Sequence, residues 1–353
     1  MAKSARVTPS NPSKSERPYD IIVFGATSFV GQILTRYLFE RHGADDDLRW
    51  ALAGRSEPKL AQLRALLGAG AEVLPLVVAD ASDAAAMSAL CQQTAVVVST
   101  VGPYALYGNE LVAACVQTGT DYCDLTGEVQ WIHRMIAQHE SAAKASGARI
   151  VNCCGFDSIP SDLGVHFLQA ASRERHGAPA ERVKLRIKAM RGGASGGTVA
   201  SLMNVMKEVA ADPGLRKVLG NPYALATAPH VTRPRHQPNV QLGEFDPQVK
   251  TWLAPFVMAA INTRIVHRSN LLSDFAYGEG FTYDEAMTTG PGLKGQFMAN
   301  GIALALGGFV GLAAVKPTRS ILERFVVPKP GEGPTPEAQK NGFFGNPPLF
   351  NGD

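Results

Sequence analysis

The sequence predicts an α/β protein that combines an N-terminal, doubly wound parallel sheet with a second α+β domain. From Tyr19 onward, short apolar runs alternate with segments of helical spacing. A glycine-bounded turn joins the first apolar run to the first helix, and the regular alternation is lost beyond Gly155. Strands that alternate with helices form parallel sheets, because each helix carries the chain back to the same edge of the sheet.

The elements of the first domain follow one another at short intervals. Asp20–Phe24 is the first predicted strand, and Gln32–Glu40 is the first predicted helix. The later strands are predicted at Arg49–Ala53, Glu72–Val78, Ala95–Thr100 and Ala148–Asn152, and the later helices at Pro58–Leu67, Ala84–Gln92, Glu110–Thr118 and Trp131–Ser146. This order is typical of a Rossmann domain, which we place at residues 18–155.

The second domain, placed at residues 156–327, has a less regular pattern. Asp162–His176 and Thr198–Ala211 are predicted helices, and Arg182–Met190 alternates like a strand. Residues 212–250 are rich in Pro, Asn and His and have little periodicity, which predicts a long loop or lid over an acyl pocket.

Composition limits the classes of function. The 353 residues are 45% hydrophobic and 18% charged, which excludes a largely disordered chain. The 34 basic and 31 acidic residues are interspersed, so we expect no nucleic-acid partner. Five cysteines without a CxxC pair favour reduced thiols and no metal site. Residues 1–17 lack an apolar run and are predicted to be a disordered leader rather than a signal peptide, which favours a cytoplasmic protein.

One uncharged segment, Gln296–Val315, has about the length of a membrane-spanning helix but contains glycines and an asparagine. Two interpretations stay open: a buried helix that lines an acyl pocket, or peripheral membrane contact through residues 296–315.

The turn after the first strand has the spacing G-x-x-S-x-x-G, with Ser28 where a middle glycine is common. Glycines at such a turn let the backbone approach a pyrophosphate, which then lies at the helix N-terminus. The predicted dinucleotide-binding residues are Gly25, Ala26, Thr27, Ser28, Phe29, Val30 and Gly31. The alternative is a tight turn that only joins the strand to the helix.

The end of the second strand selects between NAD and NADP. Gly54 and Arg55 end this strand and Lys59 follows one turn later, so Arg55 is placed to meet the 2′-phosphate of NADP(H) or to stack on its adenine. Asp45–Asp47, which the NAD rule would favour, precede the strand and therefore lie at the wrong end of the sheet. The predicted cofactor is NADP(H).

Polar and small residues follow the next two strands. Asp80 is placed either to reach the adenine edge or to cap the following helix. The segment expected beside the nicotinamide ribose comprises Thr100, Val101, Gly102 and Pro103.

Longer motifs carry a family resemblance. Gly119–Glu128 (GTDYCDLTGE) and Gly155–Asp162 (GFDSIPSD), with the glycine turn, resemble the saccharopine dehydrogenase-like oxidoreductases, most closely the mycobacterial trans-acting enoyl reductases. The resemblance implies NADPH-dependent reduction of an enoyl, that is α,β-unsaturated, acyl chain held by a lipid-making synthase or carrier protein. Family members continue with a further strand and helix, so the resemblance implies a truncated tail at residues 328–353.

Reduction of an enoyl thioester leaves an enolate that needs stabilisation at oxygen and a proton at the α-carbon. The candidate catalytic residues are Tyr104, Asp124, Glu128 and Asp157, all near predicted strand ends. Aromatic packing is the alternative role for Tyr104, and helix capping for the three acids.

Other functions stay open. No tyrosine is followed by lysine four positions later, so the acid-base pair of short-chain dehydrogenases is missing. Cys153 or Cys154 would be the nucleophile of a semialdehyde or acyl-phosphate reductase. A non-catalytic NADP-binding scaffold or sensor is the non-enzymatic alternative. The glycine-rich loop Arg191–Thr198 is either a phosphate or carboxylate site or a hinge.

Overall fold

The computed structural model describes residues 13–44, 47–189, 196–226 and 235–325. The chain divides into two compact units, Met1–Leu125 with Met135–Asn152, and Thr126–Arg134 with Cys153–Asp353. The second unit resumes at Cys153, close to the boundary expected after Gly155, but Thr126–Arg134 belongs to the second unit rather than to the first. Residues 191–195 of the glycine-rich loop and the tail at 328–353 lie outside the described residues.

The first unit contains a six-stranded parallel sheet in the order β3-β2-β1-β4-β5-β6. Its strands are β1 (Tyr19–Phe24), β2 (Trp50–Gly54), β3 (Leu76–Val78), β4 (Thr94–Ser99), β5 (Asp121–Asp124) and β6 (Ile150–Val151). This order is that of the Rossmann fold, and the predicted fold class is confirmed. The order reverses between β1 and β4, where Phe24 pairs with Ser99, and ligands bind at such a switch point.

Six helices accompany these strands: α1 (Phe29–His42), α2 (Glu57–Leu67), α3 (Ala84–Cys91), α4 (Tyr104–Tyr107), α5 (Asn109–Thr118) and α6 (Val129–Ser146), of which α6 begins in the second unit. Apolar residues of β1 and β2, such as Val23 and Leu52, pack with Leu38 of α1 and Leu60 of α2 in one buried cluster. This core fixes the turn between β1 and α1 against the sheet.

Two strand predictions need correction. The third strand is predicted at Glu72–Val78, but Ala71–Val73 forms a 3₁₀ turn and only Leu76–Val78 is extended. Pro75, which lacks an N–H group, separates the two. No apolar run predicts β5, because its four residues begin and end with aspartate.

The expectation of a disordered leader is wrong for residues 13–17. Arg17 is only 2% exposed, and its guanidinium donates to the carbonyl oxygens of Thr94 and Thr118, each at 2.7 Å, and to Thr120 Oγ1 at 2.6 Å. These acceptors come from distant parts of the chain, which explains why a Ser/Pro/Lys-rich segment gave no sign of order. Residues 1–12 lie outside the described part of the chain.

The second unit contains a four-stranded mixed sheet in the order β7-β10-β9-β8. Its strands are β7 (Arg182–Ile187), β8 (Glu244–Asp246), β9 (Thr251–Pro255) and β10 (Thr282–Gly290). Its helices are α7 (Ile159–His176), α8 (Gly196–Ala211), α9 (Leu215–Gly220), α10 (Ala259–Leu272), α11 (Gly292–Ala314) and α12 (Lys316–Phe325). Val165 of α7, Val266 of α10 and Tyr283 of β10 share one buried cluster, so α7 and α10 pack on the sheet.

The long loop expected at residues 212–250 is interrupted by regular structure. The helix α9 and the strand β8 both lie within it, while residues 227–234 are outside the described residues. Elements of three to six residues contain too few side chains for a periodic pattern to emerge.

Candidate cofactor site and catalytic residues

Two glycines shape the turn between β1 and α1. Gly25 has φ +86°, and a Cβ there would lie 2.6 Å from Val101 Cγ2. A Cβ on Gly31 would lie 2.2 Å from the carbonyl oxygen of Gly25. Real Cβ contacts do not become this short, so any other residue would force the backbone apart. Both contacts are with the protein itself, so Gly25 and Gly31 let this turn, which we call the glycine cradle, close tightly at the switch point of the sheet.

Ser28, at the position where a glycine is common, caps the first helix. Its Oγ accepts a hydrogen bond from the N–H of Gly31 at 2.9 Å, and its own N–H donates to the carbonyl of Gly25 at 2.8 Å. A helix leaves its first N–H groups without intrahelical partners. Among the described residues, the Ser28 side chain satisfies the N–H of Gly31, the third residue of α1. The N–H groups of Phe29 and Val30 are left to bind an anion.

The end of β4 is bonded to the same turn. Thr100 donates from its N–H to the carbonyl of Phe24 at 2.9 Å and from Oγ1 to the carbonyl of Gly25 at 2.8 Å. The predicted segment Thr100–Pro103 thus begins directly against the glycine turn, and its Gly102–Pro103 peptide bond is cis.

Arg55 and Lys59 are exposed, just after β2 and in the first turn of α2. Asp80 accepts hydrogen bonds from the N–H of Ser82 at 2.9 Å and from its hydroxyl at 2.7 Å. These bonds, with a smaller effect of the Arg55 charge, lower the pKa of Asp80. The helix-capping alternative for Asp80 is wrong, because Asp83 accepts from the first-turn N–H groups of α3.

These features suit NADP(H). The glycine cradle brings backbone to the switch point of the sheet, and the N-terminus of α1 offers N–H donors to a pyrophosphate there. Arg55 and Lys59 supply positive charge beside the strand that determines cofactor preference. The binding residues predicted from the sequence, from Gly25 to Pro103, all belong to the first unit.

Comparison with known proteins agrees with this geometry. A family model described as the saccharopine dehydrogenase NADP binding domain matches residues 21–151. A trans-acting enoyl reductase of Mycobacterium ulcerans is 40% identical to this chain, covering 94% of the chain and 81% of the relative. One from Mycobacterium leprae is 37% identical with the same coverage. The chain belongs to the family of the trans-acting enoyl reductases.

Membership makes the chain an NADP-binding oxidoreductase, and the predicted family and cofactor are confirmed. A solved saccharopine dehydrogenase of Saccharomyces cerevisiae is 18% identical, with a TM-score of 0.39 over 50% of this chain and 36% of its own.

Two catalytic candidates of this oxidoreductase lie in the first unit, and both are buried. The hydroxyl of Tyr104 donates to the carbonyl of Ser99 at 3.1 Å and accepts from the N–H of Leu125 at 3.4 Å. Asp124 accepts from the hydroxyl of Tyr122 at 2.9 Å and from Asn152 Nδ2 at 2.8 Å. These bonds favour structural roles, and the catalytic assignments of Tyr104 and Asp124 stay predictions.

The other two candidates lie in the second unit. Glu128 is 1% exposed, and its backbone carbonyl accepts from the N–H groups of Trp131 and Ile132 in α6. Asp157 retains exposed surface, yet desolvation by the surrounding protein raises its pKa. Ser158 holds the N-cap position of α7 but its side chain makes no cap bond, so helix capping by the Asp157–Ser158 pair is not observed in the described residues. Of the four candidates, Asp157 has both a surface that a substrate can reach and a raised pKa, so its carboxyl keeps its proton to higher pH than an ordinary aspartate does.

A buried polar cluster that no sequence pattern predicts lies next to Asp157. Ser158 Oγ lies 2.8 Å from Asn262 Oδ1, and Asn262 Nδ2 donates to Glu285 at 3.0 Å. Tyr283 also donates to Glu285, at 2.6 Å, and burial raises the pKa of Glu285. The cluster ties the segment that carries Asp157 to α10 and β10. Only contacts between distant residues reveal it, so no local motif could have found it.

The two adjacent cysteines differ in their surroundings. Cys153 is buried with φ +61°, and its thiol donates to the carbonyl of Thr126 at 2.9 Å, whereas Cys154 is exposed. A buried thiol that contacts a backbone carbonyl is poorly accessible to a substrate, which favours a packing role for Cys153.

Proposed function

We propose that this oxidoreductase uses NADPH to reduce the α,β-double bond of an acyl chain held on a synthase or carrier protein. Relatives named trans-acting enoyl reductase, 37–40% identical over 94% of the chain, are the observation that carries the proposal. The glycine cradle supports it, because its backbone is shaped for a dinucleotide that, when bound, supplies the hydride for the β-carbon.

The chain's own residues have separate tasks in this proposal. The cradle at Gly25 and Gly31 and the N-terminus of α1 hold the pyrophosphate, while Arg55 and Lys59 hold the 2′-phosphate. Asp157 delivers the proton that the α-carbon needs, and it is suited to this because desolvation raises its pKa. Ser158 and Asn262 position the segment that carries Asp157 through their 2.8 Å hydrogen bond.

The test measures NADPH oxidation with enoyl thioesters on an acyl carrier protein, together with the mass of the acyl product. We expect a product two hydrogens heavier, with the α,β-double bond lost. Turnover of aldehyde or acyl-phosphate substrates instead, abolished by Cys153→Ser or Cys154→Ser, would replace the proposal with the cysteine mechanism.

The role of Asp157 has its own test. Asp157→Asn should lower kcat roughly 100-fold or more, since positioned general acids typically contribute about that much. It should also remove the fall in kcat/KM as pH rises through the raised pKa of Asp157. Asp162→Asn is the matched control, because Asp162 lies in the first turn of α7 and accepts from Ser269 Oγ at 2.9 Å. Equal losses in both variants would exclude Asp157 as the proton donor.

A further inference from the structure

The helix α11 is the one helix in the described part of the chain that is long and apolar enough to cross a membrane. Only 17% of its most apolar 18-residue stretch is buried. At about 1.5 Å per residue it is roughly 34 Å long. No charged residue occurs from Gly295 to Val315. The interpretation as a buried pocket helix is therefore wrong for most of its surface.

A narrow stripe of small residues attaches α11 to its own unit. The buried positions along the helix are Gly295, Ala299, Ala303 and Ala313. At about 100° per residue they lie within an arc of roughly 80° around the helix axis. A Cβ on Gly295 would lie 1.9 Å from the carbonyl oxygen of Gly290, so the start of the helix rests directly against the end of β10. The stripe places α11 along the surface of the unit.

Large apolar side chains cover the opposite side. Leu293, Phe297 and Leu304 are 73%, 76% and 71% exposed, and about 100° per residue places them within roughly 40° of one another. Met298 and Leu312, about half exposed, extend this surface by about another 100° around the helix. The exposed apolar surface of α11 is therefore wider than the apolar stripe that a single neighbouring helix would bury.

A helix that is apolar around most of its circumference belongs in a protein core or a membrane, and apart from the packing of Phe309 and Ala313 on Met203, most of this helix is outside the core of its unit. Lys294 and Lys316 bracket the uncharged stretch, as expected where long basic side chains reach lipid headgroups. We infer that α11 lies in the plane of a membrane, with the face around Phe297 and Leu304 among the acyl chains and its small-residue stripe toward the protein. The inference does not depend on the proposed substrate.

Flotation of the full-length protein with vesicles of phosphatidylcholine and phosphatidylglycerol tests this inference. The protein should float with the vesicles, and the double variant Phe297→Glu, Leu304→Glu should bind at least roughly ten-fold more weakly, because two large apolar groups are lost from the acyl region. Leu66→Glu is the matched control: Leu66 is 70% exposed but lies on α2 in the other unit. It should float like the parent.

Hydrogen exchange in β9 and β10, which belong to the same unit as α11, checks that this unit is folded in the variants. Should the double variant lose that protection, Leu293→Glu at the exposed start of α11 takes its place. Failure of the parent to float, or undiminished flotation of the glutamate variants, would overturn the inference. A dimer that forms without lipid and is lost in the glutamate variants would also overturn it, by assigning this face to a second copy of the chain.

Discussion

The hydroxyl of Ser28 lies 2.9 Å from the hydroxyl of Thr100, and this contact joins the turn after β1 to the end of β4. The same Ser28 oxygen accepts from the N–H of Gly31. One side chain therefore fixes both the start of α1 and the switch point of the sheet, the two features that a pyrophosphate would meet.

Replacing Ser28 by alanine should weaken both the helix and the cofactor site. Loss of an N-cap typically costs about 1 kcal/mol of stability, and a looser turn should raise the Kd for NADPH several-fold. Chemical unfolding of the first unit and calorimetric titration with NADPH measure the two effects. Ser56→Ala is the control for stability, because Ser56 precedes α2 but makes no side-chain cap bond. A similar loss of stability in both variants would mean that the Ser28 cap contributes nothing.

Gly31→Ala should weaken NADPH binding. The added Cβ would meet the Gly25 carbonyl at 2.2 Å, and overpacking of this kind costs about 1–3 kcal/mol, or roughly 5- to 150-fold in affinity. Gly54→Ala is the control, because Gly54 is also a predicted cofactor-binding residue. Its added Cβ would lie 3.6 Å from Leu60, which is an ordinary contact. It should bind NADPH almost as the parent does. Normal binding by Gly31→Ala would show that the turn does not hold the cofactor.

Arg55→Ala should change which cofactor is preferred. Charge-assisted hydrogen bonds contribute about 1.5–3 kcal/mol, so NADPH binding should weaken by roughly 10- to 150-fold while NADH binding changes little. Arg36→Ala, at an exposed position of α1, is the control for loss of a positive charge. If NADH binding fell as much as NADPH binding, Arg55 would contact the adenine rather than the 2′-phosphate.

Local patterns predicted most of the first unit because its strands are apolar and its helices periodic. They failed at β5, whose carboxylates are buried in ion pairs and hydrogen bonds. Asp121 is 5% exposed and pairs with Lys14 at 2.5 Å and with Arg149. Burial alone would raise the pKa of Asp121, but the bonds from Arg149 and Lys14 outweigh burial and lower it. A polar strand of this kind resembles a loop until its distant partners are known.

In the candidate site, too, local patterns predict some features, whereas others depend on contacts between distant residues. The glycine spacing located the turn, but the role of Ser28 depends on Thr100, which lies in the loop after another strand. Asp80 and Asp83 are both candidate helix caps by residue type and position. Their hydrogen bonds distinguish them, because Asp80 accepts from Ser82 whereas Asp83 accepts from the first turn of α3. The hydroxyl of Tyr104 would suit proton transfer in sequence terms, whereas the structure gives it two backbone partners. The residue types indicate which chemical steps a side chain could perform. The role of each candidate residue could be assigned only from its contacts with distant segments of the chain.

His267 of α10 gives a prediction for the second unit. Its ring is 3% exposed, and its centroid lies 4.7 Å from that of Tyr223 and 6.0 Å from that of Phe281. Burial, and then the charge of Arg264, lowers its pKa from 6.5 to about 4. The folded protein therefore keeps His267 neutral at pH values where the unfolded chain takes up a proton.

Stability should be unaffected by His267 above about pH 7 and should fall as pH decreases from 6.5 toward 4, by about 3 kcal/mol in all and about 2 kcal/mol by pH 5. Hydrogen exchange in α10, corrected for the intrinsic pH dependence of exchange, measures this fall. His267→Phe, which keeps an aromatic ring between Tyr223 and Phe281, should remove it, because phenylalanine cannot bind a proton. An identical fall in the variant would assign the acid sensitivity to other groups.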